Sequence, residues 1–252
     1  MSYDSWPNLA TMFFEKTAEL GDKPFLWAKR DEIWASITGN EAAARAAALS
    51  RGLRELGVGD GDRVMLVSEN RPEWAIADFA IMAAGAVSVP AYVTNQIGDH
   101  LHVASNSGAK AAIVSTAQLA ERFLPAAKQS LDMRVVIAIE EPKNGPDRSP
   151  AIHLWDDVLE RHAGAPNDVA ERACAIERTD TSCLIYTSGT GGVPKGVMLS
   201  HGAIIANCKG AHQLLDELGL EDEVFLSFLP LSHSYEHTAG LMFPISIAAQ
   251  IY

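Results

Sequence analysis

Apolar and polar positions along this chain switch repeatedly between a helical and a strand period. Leu9, Met12, Phe13 and Leu20 recur at helical spacing up to Gly21, the stripe of an amphipathic helix. Two short β-type runs follow, Phe25–Ala28 and Ile33–Ser36, joined as a hairpin around Lys29–Glu32. Thr38, with Glu41 three positions on, forms a capping box and opens an alanine-rich helix reaching Gly57. After a turn at Gly59–Asp62, strand Arg63–Ser68 leads into a helix from Pro72 to Ala84, with proline in its first turn. Strands Val87–Pro90, Ala111–Ser115 and Val135–Ile139 then alternate with helices near Asp99–Asn106 and Gln118–Leu131. Glu140–Pro150, with three prolines and a glycine, reads as a loop, and Ala163–Asp180 as an irregular polar connection. Strand Ser182–Tyr186, a glycine-rich loop, strand Val197–Leu199, a helix from the N-cap Ser200 to about Leu215 and strand Val224–Phe228 complete the pattern. Such alternation predicts a largely parallel α/β architecture.

Composition narrows the functions this fold could carry. A chain of 252 residues, 48% of them hydrophobic, can bury a substantial core. A net charge of −12 argues against a nucleic-acid surface and offers no general attraction to anionic ligands, so any anion must be captured by local donors. Cys174, Cys183 and Cys208 lack metal or redox spacing and read as reduced thiols, which points to the cytoplasm. Asp4, Glu15 and Lys16 interrupt any signal peptide, and no apolar run reaches the ~18 residues of a membrane span. Peripheral membrane contact stays open.

The local donors lie in Tyr186–Val197, YTSGTGGVPKGV, directly after the apolar run Cys183–Leu184–Ile185. Glycines let a loop turn its backbone N–H groups onto an anion, Thr187, Ser188 and Thr190 add hydroxyls, and Lys195 adds a point charge. Together they suit a polyphosphate. Lys195 precedes its glycine instead of following one ahead of Ser or Thr, so this is not the Walker pattern.

The same stretch resembles the signature loop of the adenylate-forming enzymes, YTSGTTGxPKGV, at eleven of twelve positions; the exception is Gly191, where a second threonine is usual. The run from Phe228 to His237, FLPLSHSYEH, is similar to the LPLxH segment of the fatty acyl-CoA synthetases, and Gly61–Thr94 to the family's first core block. Alternation and resemblance together predict a doubly wound, largely parallel sheet over residues 61–199. Residues 1–60 and 200–252 are then expected to contribute to an incomplete second α/β layer. The resemblance implies ATP, magnesium and coenzyme A as cofactors or substrates, a fatty acid as the other partner, and AMP and pyrophosphate as products. It places Thr187 nearest magnesium, and Ser188, Gly189, Thr190, Gly191, Gly192 and Lys195 on the phosphates. It makes His233 the substrate-orienting histidine. A missing hydroxyl at Gly191 implies a looser grip on the terminal phosphates.

Family members are roughly twice as long, and this chain stops at Tyr252 inside an apolar run. The magnesium-holding glutamate, the ribose aspartate and the catalytic lysine of the family are thus expected beyond it. On that reading the chain alone is inactive, and Leu241–Tyr252 lies uncovered, inviting self-association. Two rivals stay beside this reading. His233–Ser–Tyr–Glu236–His237 also spells HxxEH, a zinc-protease motif that needs a helix and a third ligand; the other is a non-catalytic nucleotide-binding module. His201 reads as a helix N-terminal residue, and His100, His102, His153, His162 and His212 as surface or capping positions.

Overall fold

A computed structural model describes residues 3–143, 149–187, 192–216, 219 and 222–252. Two sheets share one set of helices. The larger has seven strands in the order β7-β6-β5-β3-β4-β8-β9. These are β3 (Arg63–Val67), β4 (Val87–Ala91), β5 (Ala111–Val114), β6 (Val135–Ala138), β7 (Ala151–Leu154), β8 (Thr181–Thr187) and β9 (Lys195–Ser200). All neighbours are parallel except β8 and β9.

Strand side chains alternate between two apolar layers, as a period of two requires. Val64, Leu66, Ile113, Ile137, Cys183 and Ile185 join the larger core. Met65, Val67, Ala112, Val114, Val136 and Tyr186 join the other. That second layer receives α4 (Ile97–Ser107) and α5 (Ala117–Gln129). The first receives α1 (Leu9–Leu20), α2 (Gly39–Glu55), α3 (Pro72–Ala83) and α8 (His201–Asp216). Chain order leaves β3 for β4 on one side and returns to β5 on the other, so the sheet is doubly wound. Ligands in such sheets bind outside the carboxyl ends of the strands near that reversal.

Helix α3 is buried at every residue from Pro72 to Ala83. It packs on α1, α2, β3 and β4, and also on β1 of the second sheet. Alanines 42, 43, 46 and 47 of α2 carry no bulk, which lets α1 and α3 approach.

The second sheet has the order β10-β11-β1-β2: β1 (Pro24–Arg30), β2 (Ile33–Thr38), β10 (Val224–Phe225) and β11 (Gln250–Ile251). Its hairpin turns through Asp31 and Glu32, both at positive φ (48° and 65°), as a two-residue turn between twisted strands requires. The sheet is assembled from both ends of the chain, and Tyr3 Oη lies 2.9 Å from Ser246 Oγ, 243 positions away.

The structure departs from the sequence reading in three places. Strand β7 and helix α6 (Trp155–Arg161) fill a stretch to which the pattern assigned no element, and helix α7 (Asn167–Ala173) falls inside the connection expected to be irregular. Helix α6 lies so close to α2 that a Cβ on Gly52 would meet Val158 Cγ1 at 2.3 Å, and Arg51 holds α7 through Asp168, with Nε 3.0 Å from Oδ2. The last predicted strand, Val224–Phe228, pairs only over Val224–Phe225. Leu241–Tyr252 is not uncovered: Leu241, Met242, Phe243 and Ile245 are buried and β11 is an interior strand, because β1 and β10 supply it with ladders on both sides. Exposed apolar side chains lie instead at Val224, Leu226 and Phe228.

Candidate phosphate and carboxylate site

Strand β8 leaves the sheet at its carboxyl edge, and β9 returns antiparallel to it. Thr187 and Lys195 are register partners at the mouth of this hairpin, and both are exposed. A hydroxyl and an ammonium therefore face each other across the entrance to the glycine-rich turn. Gly192 takes φ +84°, and no atom of the described residues lies within 4 Å of where a Cβ would stand. Ser188, Gly189, Thr190 and Gly191 lie outside the described residues.

The hairpin is fastened to α4 at its base. Tyr186 Oη donates to Asn106 Oδ1 at 2.7 Å, and His102 Nε2 donates to the Pro194 carbonyl at 2.9 Å. Gly196 lets the strands close on the Tyr186 ring, whose atoms would be 3.1–3.3 Å from an added Cβ. His102 is thus no ordinary surface position. Its contact with Pro194 spans 92 residues, and nothing local in the sequence signals it.

The His233 segment approaches from the second sheet. His233 is the N-cap of the short helical turn α9 (Ser234–Glu236), and its Nδ1 accepts from the Tyr235 N–H at 3.2 Å. This places the proton of the neutral ring on Nε2, a donor on an exposed side chain. The backbone then widens into a π-helical segment, His237–Met242, before α10 (Phe243–Ser246). Extra residues in such a turn re-aim side chains. Here His237 points into the core while His233 stays at the surface.

His237 is fully buried, with Nε2 2.8 Å from Asp78 Oδ2 on α3 and Nδ1 3.9 Å from Cys183 Sγ on β8. Burial alone would favour the neutral ring. The charge of Asp78 and the hydrogen bond to it, helped by Cys183, overcome that and raise the pKa to about 10, so the ring is an imidazolium at neutral pH. Its edge rests against Trp74. Glu236 accepts from Ser227 Oγ at 2.9 Å, in space that exists because residue 240 is glycine: a Cβ there would lie 2.4 Å from the carboxylate. The second histidine and the glutamate of the HxxEH pattern are therefore engaged inside the protein, and no cluster of three His, Cys, Asp or Glu able to hold a metal occurs among the described residues.

A family model described as AMP-binding enzyme matches residues 13–252. The chain belongs to the AMP-binding enzyme family. It is 37% identical over 229 residues to the long-chain-fatty-acid–CoA ligase FadD15 of Mycobacterium tuberculosis, covering 90% of this chain and 36% of that ligase. It is 28% identical over 244 residues to the human long-chain-fatty-acid–CoA ligase ACSBG1, covering 96% of this chain and 32% of that protein. The chain thus spans about a third of the length of the curated relatives it matches. Two solved structures share its fold. One is a fatty acyl-adenylate ligase from L. pneumophila in complex with acyl adenylate and pyrophosphate (TM-score 0.76, 20% identity, 99% of this chain and 40% of that one). The other is a benzoate CoA ligase from Burkholderia xenovorans (TM-score 0.76, 24% identity, 97% and 44%).

A cavity of about 400 Å³ lies between the two sheets, lined by Trp27, Trp34, Asn70, Arg71, Thr116 and Leu231 among others, but not by Thr187, Lys195 or His233. No helix among the described residues is long and apolar enough to cross a membrane.

Two further histidines proved to be core residues. His100 is buried edge-on to Phe123, with neither ring nitrogen partnered among the described residues. His201 is buried as the first residue of α8, its Nδ1 accepting from the Leu9 N–H at 3.3 Å. Burial lowers both to about 4, with the Arg122 charge adding at His100. The unfolded chain takes up protons at these rings near pH 6.5, whereas the fold resists until about pH 4. Their contribution is therefore complete above pH 6.5 and is lost as pH falls through that window, about 3 kcal/mol per ring. Urea titrations at pH 7 and 4.5 will show the fall. It will be shallower in His201→Asn, which keeps an acceptor for Leu9 but cannot titrate; an unchanged slope in that variant contradicts the assignment.

Proposed function

We propose that this chain is the phosphate-binding portion of a longer, AMP-forming acid–thiol ligase that activates a long-chain fatty acid. The observation that carries the reading is the hairpin mouth: Thr187 and Lys195 face each other at the carboxyl edge of a doubly wound sheet, either side of a glycine-rich turn. Named relatives that are long-chain-fatty-acid–CoA ligases supply the substrate class.

In this reading Thr187, Ser188, Gly189, Thr190, Gly191, Gly192 and Lys195 hold the β- and γ-phosphates of ATP. An acyl carboxylate oxygen attacks the α-phosphorus, the bond to the bridging oxygen breaks, and pyrophosphate leaves. The thiol of coenzyme A then attacks the acyl carbon and AMP leaves. His233 donates from Nε2 to the oxygens that gather charge in the first step, and the loop donors and Lys195 neutralise charge on the departing pyrophosphate. Thr187 would offer one neutral oxygen to a magnesium ion, which would supply charge neutralisation at the phosphates. Residues 61–199 form the phosphate-loop unit, and residues 1–60 and 200–252 build the adjoining layer. The setting is cytoplasmic, with any membrane contact peripheral.

Pyrophosphate release tests this directly. The complete protein that carries this chain, given ATP, magnesium and a panel of carboxylic acids, is expected to release pyrophosphate fastest with long-chain fatty acids, and the 252-residue chain alone to release none. Release with no carboxylic acid at all, or by the short chain at an equal rate, overturns the reading.

A further inference from the structure

Between β10 and His233 the backbone has few partners of its own. Ser227 N donates to the Tyr252 carbonyl at 2.8 Å, after which residues 228–230 run as an irregular segment with Phe228 and Leu229 exposed. Yet Leu231 and Ser232 are buried and His233 follows at once, its N–H donating to the Pro230 carbonyl at 2.9 Å. The 229–231 backbone is gripped by a side chain 161 positions before Leu231 in the sequence. Asn70 lies in the turn between β3 and α3, at the carboxyl edge of the large sheet. Its Nδ2 donates to the Leu229 carbonyl at 2.7 Å and to Ser227 Oγ at 3.0 Å, and its Oδ1 accepts from the Leu231 N–H at 3.1 Å. The amide thus meets a carbonyl and an N–H two residues apart, as the peptide group of a neighbouring strand would. Ser227 Oγ passes the link on to Glu236, three residues beyond His233.

We infer that Asn70 is a positioning residue for His233. It supplies in one side chain the ladder that the 227–231 segment lacks, and so sets where the histidine stands relative to the phosphate hairpin. This inference rests on the proposed adenylate-forming reaction. The chemistry specifies an amide. Aspartate has the shape but no donor for the Leu229 carbonyl, and alanine offers nothing. The adjacent Glu69 accepts from Thr116 Oγ1 at 3.4 Å and from Ser115 Oγ, so the same turn is anchored to the end of β5 and cannot drift. Asn70 is itself exposed, so its loss is expected to spare the fold.

The test has two arms. In the 252-residue chain, hydrogen exchange at the Leu231 and His233 amides is expected to quicken about 10-fold or more in Asn70→Ala and Asn70→Asp, with the melting midpoint nearly unchanged. In the complete protein, both variants are expected to slow adenylate formation about 10- to 100-fold at saturating ATP, the scale of a misplacement near 1 Å. The double variant Asn70→Ala/His233→Ala should then be no slower than His233→Ala alone, the signature of two residues acting as one unit. Unchanged exchange, full turnover in Asn70→Ala, or losses that add in the double variant each overturn the inference. A wild-type protein that releases no pyrophosphate with any carboxylic acid overturns the functional reading and with it the catalytic meaning of the grip. Unaffected variants of an active wild type overturn the grip alone.

Discussion

Asp78→Ala will lower the unfolding free energy of this chain by about 3–5 kcal/mol, the usual cost of removing one partner from a buried ion pair. Both groups of the Asp78–His237 pair are wholly inaccessible, and Asp78 Oδ1 has no hydrogen-bond partner among the described residues. Removing the carboxylate leaves a ring that burial drives toward neutrality, beside a new hole. The sign of the pH dependence follows from the raised pKa of His237. The stabilisation is complete below the unfolded value near 6.5 and disappears as pH rises through about 10. Wild type and variant will therefore differ most just below pH 6.5 and converge toward pH 10 in urea titrations. A difference under ~1 kcal/mol at pH 7 would show that the pair contributes little. A compact apolar double replacement, Asp78→Ala/His237→Leu, is expected to lose less than the two single changes combined, since it strands no charge.

The second large effect belongs to turnover. Lys195→Ala, in the complete protein, is expected to slow ATP-dependent pyrophosphate release by about 10²–10³-fold, the cost of one preorganised charge partner in a transition state. Stability should stay within ~0.5 kcal/mol, because Lys195 is exposed. Thr187→Val, which keeps the shape and deletes the hydroxyl opposite, is expected to act in the same direction. Loss of fold with loss of activity would assign Lys195 to the hairpin's structure, and unchanged turnover would remove it from the phosphate site.

What the sequence made legible was local. Thr38 and Glu41 do form the capping box, with Glu41 N donating to Thr38 Oγ1 at 3.2 Å and Thr38 N to the Glu41 carboxylate at 2.8 Å. Pro72 does open α3, and the glycine-rich stretch does stand between a strand and its return. Elements α6 and α7, seven residues each, are too short to display a period, and they exist because Trp155, Val158 and Val169 pack on the core. The ladder of the strand predicted through Phe228 stops at Phe225, Ser227 N still donates to the Tyr252 carbonyl, and beyond Phe228 the Asn70 side chain bonds Leu229 and Leu231 where a strand neighbour would. His100 read as a surface residue because a single polar letter in a helix carries no sign of the phenylalanine ring it faces. The contacts that tie the site together join positions far apart: His102 to Pro194, Asn70 to Leu231, Asp78 to His237. No window on the sequence spans them.

The small sheet also carries a consequence for synthesis. Its order places β11 between β1 and β10, so Leu26 meets Ile251 across about 225 residues of chain. A ribosome adding 5–20 residues per second would deliver the partner roughly 11 to 45 s after β1 has emerged. During that interval the N-terminal hairpin exposes an open edge and the apolar face of Phe25 and Leu26, while the seven-stranded sheet, whose strands all lie between residues 63 and 200, can complete itself. Vectorial folding should therefore finish the phosphate-hairpin sheet first and leave the nascent amino terminus as the segment most in need of a chaperone.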